Sequence, residues 1–315
     1  MNRTTINVNK NDISILNILD SINKFKDKWN DGLIVITGPT TSGKTALSLE
    51  IAKLFPSEII SADSRQIYRK MDIGTNKIPI DDELIYESQR VIMCENIIHY
   101  MINILDPGEN YSILKYVNDS KGIILGIKSM NKTPLIVGGT GYYINHLINN
   151  TYFPTYTIPI DVSSKVRGMS RDDKINFLEK KDPNILQTID LNNDRRLQAP
   201  IEYILVTNKQ YSLIPKADNL PFNYLIIKIT APSIEMYKSA DLKLMQRLDN
   251  GLIEEVEMLL KCGISSNWLQ SIGLEYKFVS KYLTGEISKV DMKEQLKYAI
   301  HHYIKRQLTY MNKYL

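Results

Sequence analysis

GPTTSGKT occupies residues 38–45, directly after the apolar run Leu33-Ile34-Val35-Ile36. Residues 45–54 follow, with Ala46, Leu49 and Lys53 spaced by helical turns. The octet has the form G-x-x-x-x-G-K-[ST]. Strand, glycine loop and helix together make the setting in which such a loop wraps a phosphate. Gly38, Pro39, Thr40, Thr41, Ser42, Gly43, Lys44 and Thr45 are therefore the expected phosphate or diphosphate site. Backbone N–H groups and the helix N-terminus meet the anion, Lys44 adds charge, and Thr45 is placed to ligate Mg²⁺, the expected cofactor. Most such nucleotide-binding loops serve ATP or GTP. The apparatus does not dictate phosphoryl transfer, because it stabilises a departing pyrophosphate as readily as a transferred phosphoryl group.

Working outward, three further short apolar runs end in turn residues. Residues 58–61 stop at Ala62-Asp63-Ser64, residues 102–105 at Asp106-Pro107-Gly108, and residues 135–137 at Gly138-Gly139-Thr140-Gly141. Helical patterns separate them, which predicts an α/β fold: a doubly wound parallel sheet with a P-loop core. Ligands of such sheets bind beyond the carboxyl ends of the strands. The glycine loop, Asp63 and Thr140 are expected along one edge. The composition changes near residue 151, and residues 152–159 read as a linker. The chain divides into a helical extension (1–30), a core (31–155 and 215–315) and a mainly helical insertion (156–214). Residues 224–229 read as a returning strand, followed by helices over 239–261, 269–283 and 289–310.

The 315 residues are 43% hydrophobic and 23% charged, which is ordinary globular composition. Cys94 and Cys262 stand far apart with no Cys/His cluster around them, so neither a disulfide framework nor a zinc site is expected, and a reducing cytoplasm fits. The first thirty residues hold no long apolar run. A helix through Ile15, Leu16, Leu19, Ile22 and Phe25, capped by Asp12, is expected there, with no membrane contact. The net charge of +4 is concentrated beyond Tyr276, where eight Lys/Arg face three acids. That asymmetry suits a polyanionic partner.

Asp63 can act as a general base, as an outer ligand of Mg²⁺ or as a helix cap, and position alone leaves all three open. Asp106 resembles the acid that ends a Walker B strand, but Asn103 and Pro107-Gly108 favour a turn. On the last helix Lys289, Lys293, Lys297, His301 and Lys305 recur every fourth residue, with Tyr298 and Tyr310 nearby. Such a row is either a solvated face or a track for a phosphate backbone.

Several stretches together resemble tRNA dimethylallyltransferases: GPTTSGKT, ISADSRQIYRKMDIGTNK (60–77), ILDP (104–107), LIVGGTGYYINHL (135–147), NNDRRLQ (192–198), GLIEEVEMLL (251–260), SIGLEY (271–276), YLTGEIS (282–288) and YIKRQLTYMNKY (303–314). The resemblance spans roughly residues 33–314. It implies that the loop holds the diphosphate of dimethylallyl diphosphate and that the reaction is alkyl transfer. The acceptor would be N6 of adenosine 37 in tRNAs reading codons that begin with U. It further implies catalytic roles for Asp63 as base, for Thr140 and for Lys44. Contacts to the tRNA anticodon stem-loop are implied for Asp63, Ser64, Arg65, Gln66, Thr140, Arg167, Arg195, Arg196, Gln198, Lys305 and Arg306. A monomer is expected.

Four residues depart from the family pattern. Ala199 stands where a second arginine is usual, and Pro200 would interrupt the helix there. Ser239 replaces an arginine on the diphosphate side, and His301 replaces a basic residue. These departures keep alive a tRNA-binding relative with little turnover. An adenylate isopentenyltransferase also competes, although a free nucleotide needs neither the insertion nor the basic last helix, and so does a P-loop nucleotide kinase, which would consume ATP.

Overall fold

The computed structural model describes residues 3–86, 89–149, 157–214 and 222–315. Strands β1 (Arg3–Asn9), β2 (Leu33–Thr37), β3 (Ser57–Ser61), β4 (Asp82–Tyr86), β5 (Gln89–Cys94), β6 (Ile97–Tyr100), β7 (Thr133–Gly138) and β8 (Tyr224–Thr230) form one sheet in the order β1-β8-β2-β7-β3-β6-β5-β4. Neighbours from β1 through β6 are parallel, and the β4–β5 hairpin adds two antiparallel pairings. The fold is the expected α/β architecture. β2 reads LIVIT and every one of its residues is buried, as a central parallel strand covered on both faces requires. Helices α1 (Ile15–Lys28), α2 (Lys44–Leu54), α3 (Ile113–Ser129) and α4 (Gly141–Ile148) connect these strands. Because β7 lies between β2 and β3, the chain leaving β2 skips a position, and a crevice opens beyond the strand ends at that point.

Helices α5 (Ile160–Gly168), α6 (Arg171–Lys181) and α7 (Asp194–Thr207) belong to a second compact unit, residues 150–219. Val166, Leu178, Leu197, Ile201 and Ile204 form its own core. The chain then re-enters the first unit. There α8 (Ser233–Asp249), α9 (Leu252–Lys261), α10 (Ser266–Ile272), α11 (Leu274–Leu283) and α12 (Lys289–Tyr314) pack round a core that includes Met236, Leu244, Val256, Val279 and Leu296.

The structure corrects several expectations. The first thirty residues are not only helical, because β1 adds an edge strand in register with β8 from Arg3↔Tyr224 to Asn9↔Thr230. Its sequence, RTTINVN, carries too few apolar residues to announce a strand. Ser14, not Asp12, caps α1 by accepting from the Asn17 N–H. The strand expected at 102–105 lies at 97–100 instead. Met101 (φ 64°) and Asn103 (φ 55°) turn the chain left-handed, and Leu105 keeps only an isolated bridge to Tyr68. The helix expected over 239–261 breaks at Gly251, whose φ of 98° few other residues tolerate. The one expected over 269–283 breaks at an extended Gly273. Pro200 does not interrupt α7, which runs fourteen residues through it. A mid-helix proline costs about 3 kcal/mol, and the apolar face of Leu197, Ile201 and Ile204 offsets it. The start of the linker expected at 152–159 lies outside the described residues.

Candidate active site

A cavity of about 610 Å³ opens at the carboxyl ends of β2 and β3. Thr40, Thr41, Gly43, Lys44 and Thr45 line one side, and Asp63, Arg65 and Gln66 line another. The expected edge is therefore shared by these groups. Gly43 (φ 93°) and Thr41 (φ 65°) bend the loop so that α2 begins at Lys44. The Lys44 ammonium donates to the Pro39 carbonyl at 2.7 Å, which folds it back over the loop. Burial pushes its pKa down to about 8, with Asp63 opposing the shift and Lys243 adding to it. Ser42 is buried, and its hydroxyl has no protein partner among the described residues.

Asp63 follows β3. One carboxylate oxygen accepts from the Arg65 N–H at 2.9 Å, and the carboxylate forms no ion pair among the described residues. Thr140 lies beside it and its hydroxyl oxygen accepts from the Ser64 N–H at 3.2 Å, but Thr140 does not line the cavity. Gly138 is required where β7 passes β3, because a Cβ there would stand 2.1 Å from the Ala62 carbonyl. The Gln66 amide nitrogen donates to the carbonyls of Thr75 and Asn76, both at 3.3 Å. Only its oxygen remains for another partner.

The loop at 72–77 is held by a residue that the sequence did not single out. The buried carboxylate Glu255 of α9 accepts from the backbone N–H groups of Asp72, Ile73 and Gly74 at 2.8, 2.7 and 3.0 Å. It also accepts from the Tyr276 hydroxyl at 2.7 Å. A Cβ at Gly74 would meet the Tyr276 ring at 2.5 Å. Thus the stretches MDIGTNK, GLIEEV and SIGLEY meet in space. Gln307 of α12 is a second such residue, accepting from the Thr40 N–H at 2.9 Å and donating to the Gly139 carbonyl at 2.8 Å. Lys243 and Arg247 of α8 also line the cavity, and Arg247 pairs with Glu275 at 2.8 Å. Their spacing of four was legible in the sequence, but which face of α8 they share was not.

The remaining expected residues have different surroundings. Arg306 lines the cavity and also, with Lys305, a second hollow of about 400 Å³ beside Tyr310, Lys313 and Tyr314. The regular basic row is not a free track, because Asp241 of α8 takes His301 at 2.7 Å and Lys297 at 3.2 Å. Asp106 sits in a turn and pairs with Arg69, which supports the turn over a metal ligand. In the second unit Arg167, Arg195 and Arg196 are exposed, and Gln198 bonds Asp194 of its own helix. Asp194 in turn holds the buried Lys174 at 2.6 Å.

Residues 66–314 match the IPP transferase family. The chain belongs to that family. The curated tRNA dimethylallyltransferase of Acetivibrio thermocellus is 36% identical over 290 residues, covering 90% of this chain and 89% of the relative. The solved tRNA isopentenylpyrophosphate transferase of Bacillus halodurans is 30% identical with a TM-score of 0.64, covering 90% of this chain and 87% of its own. A eukaryotic dimethylallyltransferase, solved acting on tRNA, is 25% identical with a TM-score of 0.74 over 89% of this chain and 69% of its own.

Proposed function

We propose that this chain is a tRNA dimethylallyltransferase, transferring a dimethylallyl group from dimethylallyl diphosphate to N6 of adenosine 37 in tRNAs reading codons that begin with U. The observation that carries the reading is the placement of Lys44 and Asp63 on one cavity, with no ion pair to the Asp63 carboxylate among the described residues. N6 attacks the allylic carbon while the carbon–oxygen bond breaks. The products are N6-dimethylallyladenosine and diphosphate, and the N6 proton passes to Asp63. Charge appears on the departing diphosphate where the loop N–H groups and Lys44 stand, which is electrostatic stabilisation at the point of need. The unpartnered Ser42 hydroxyl would gain an acceptor from a phosphate oxygen there. Leu49, Ile78, Leu274 and Ile300 give the cavity apolar wall for the allyl group and exclude water from its cation-like centre.

Mg²⁺ fits this donor set. No group of three or more acidic, His or Cys side chains among the described residues is placed to hold a metal ion by itself. The Thr45 hydroxyl would hold the ion together with diphosphate oxygens and water, and the ion would neutralise leaving-group charge. Lys305 and Arg306 on α12, with Arg167, Arg195 and Arg196 in the second unit, are the proposed contacts to the anticodon stem-loop. No helix among the described residues is long and apolar enough to cross a membrane. A cytoplasmic monomer is the working form.

Single-turnover transfer from labelled dimethylallyl diphosphate to an anticodon stem-loop bearing adenosines 36 and 37 tests the proposal. Transfer by the wild type and a loss of about 10²–10⁴-fold in Asp63→Ala is expected for removal of a general base. Stem-loop binding without transfer would instead make the chain a tRNA-binding relative.

A further inference from the structure

The β1 strand does more than extend the sheet. Seven paired residues fix its register on β8, and its carboxyl end lies at the same edge of the sheet as the phosphate loop, because β1, β8 and β2 are all parallel. Lys10 is the first residue beyond it. Its ammonium donates to the Ser239 hydroxyl on α8 at 3.0 Å. The next residue, Asn11, donates to Glu235 of the same helix at 2.6 Å. Backbone register and two side-chain bonds therefore hold Lys10 in one place.

That place is close to other cations. One turn along α8 from Ser239 stands Lys243, which lines the cavity and has no ion-pair partner among the described residues. Burial lowers its pKa, and Lys10 and Arg247 lower it further. Lys243 in turn lowers that of Lys44. Lys243 and Lys44 line the cavity, and Lys10 stands outside its lining on Ser239, one turn of α8 from Lys243. Among the described residues only Arg247 of this group forms an ion pair, with Glu275. The acceptor for Lys10 is a neutral hydroxyl. A latch needed only for packing would be served as well by an uncharged side chain. Holding long charged side chains together against repulsion costs entropy and Coulomb energy. A polyanion at the phosphate loop relieves both.

We propose that Lys10 is a diphosphate-binding residue, delivered by the N-terminal strand over the Ser239 hydroxyl to complete the cation group of Lys44 and Lys243. The inference rests on the reading of the cavity as an allylic diphosphate site. It makes the N-terminal strand part of substrate binding and assigns Ser239 the task of orienting a cation that comes from elsewhere in the chain.

Titration of the full chain with inorganic pyrophosphate, with and without Mg²⁺, tests this in the wild type, Lys10→Met, Lys10→Arg and Lys10→Met/Ser239→Arg. Lys24→Met on the exposed face of α1, where Lys24 pairs with Asp20, serves as control. Lys10→Met should bind pyrophosphate about five- to tenfold more weakly, the scale of one partly screened charge. Its KM for the allylic diphosphate should rise in step while kcat and the thermal midpoint hold. Lys10→Arg should retain affinity, and Ser239→Arg should restore it by returning a cation to the same point. Unchanged pyrophosphate affinity in Lys10→Met overturns the inference while leaving the functional reading intact. So does a loss that tracks a lowered thermal midpoint and is not restored by Ser239→Arg. No pyrophosphate binding by the wild type overturns both.

Discussion

Lys44 illustrates how far a single residue's environment controls its chemistry. Burial and the neighbouring Lys243 bring its pKa down to about 8, so its charge begins to be lost just above neutral pH. The charged form binds an anion, so pyrophosphate affinity should be full below pH 7 and fall as pH rises through 8, approaching tenfold per unit above it. Calorimetric titration from pH 6.5 to 9.5 would show this fall. Lys44→Arg, if it binds, should flatten it, because a guanidinium keeps its charge throughout. Asp63 was nameable from the sequence because it ends a strand on the ligand edge. Its acceptance from the Arg65 N–H, and its lack of an ion pair among the described residues, were not, since they depend on how the chain folds beyond β3.

Between elements, the most informative finding is Glu255. A helix acid in GLIEEVEMLL looks like ordinary surface charge, yet it accepts from three successive backbone N–H groups and a tyrosine hydroxyl. Removing it leaves several buried donors unsatisfied, each worth about 1–3 kcal/mol. Glu255→Ala should lower stability by about 3 kcal/mol or more in denaturant titration. It should also cut transfer, because residues 74–79 line the cavity. In the second unit, Pro200 sits inside α7 and denies the Arg196 carbonyl its helical partner. Pro200→Ala should stabilise that unit by roughly 1–3 kcal/mol, less whatever its burial contributes, read as a later denaturation transition. Helix breaks at Gly251 and Gly273 escaped a periodicity argument, because the apolar spacing continues across both glycines.

For the whole molecule, sheet assembly buries groups that are inconspicuous in the chain. His99 of β6 pairs with Ile59 of β3 and Ile92 of β5, and its Nδ1 lies 3.0 Å from the Ile97 carbonyl. Burial brings its pKa down to about 4 from an ordinary 6.5. The unfolded chain then takes up a proton below pH 6.5 that the folded sheet refuses. Stability should be constant above that pH and fall between 6.5 and 4 by about 3 kcal/mol from this residue alone. Thermal midpoints across pH 4–8 check this, and His99→Leu should remove that share of the slope.

The α/β class, the strand–glycine loop–helix unit and the edge on which Asp63 and Thr140 stand were all written in the amino-acid order. They follow from local rules: apolar runs of strand length, the glycine geometry that an anion cradle demands, and the alternation of strand and helix that forces parallel pairing. Long-range packing was needed to place β1 in the sheet beside β8. It was also needed for Glu255 to anchor a loop some 180 residues away, for Gln307 to tie the last helix to Thr40, and for Lys10 to reach Ser239 on α8. The physical reason is common to all four. A polar side chain or a weakly apolar strand has no periodic signal of its own, and its partner is chosen by which surfaces the sheet and helices bring together.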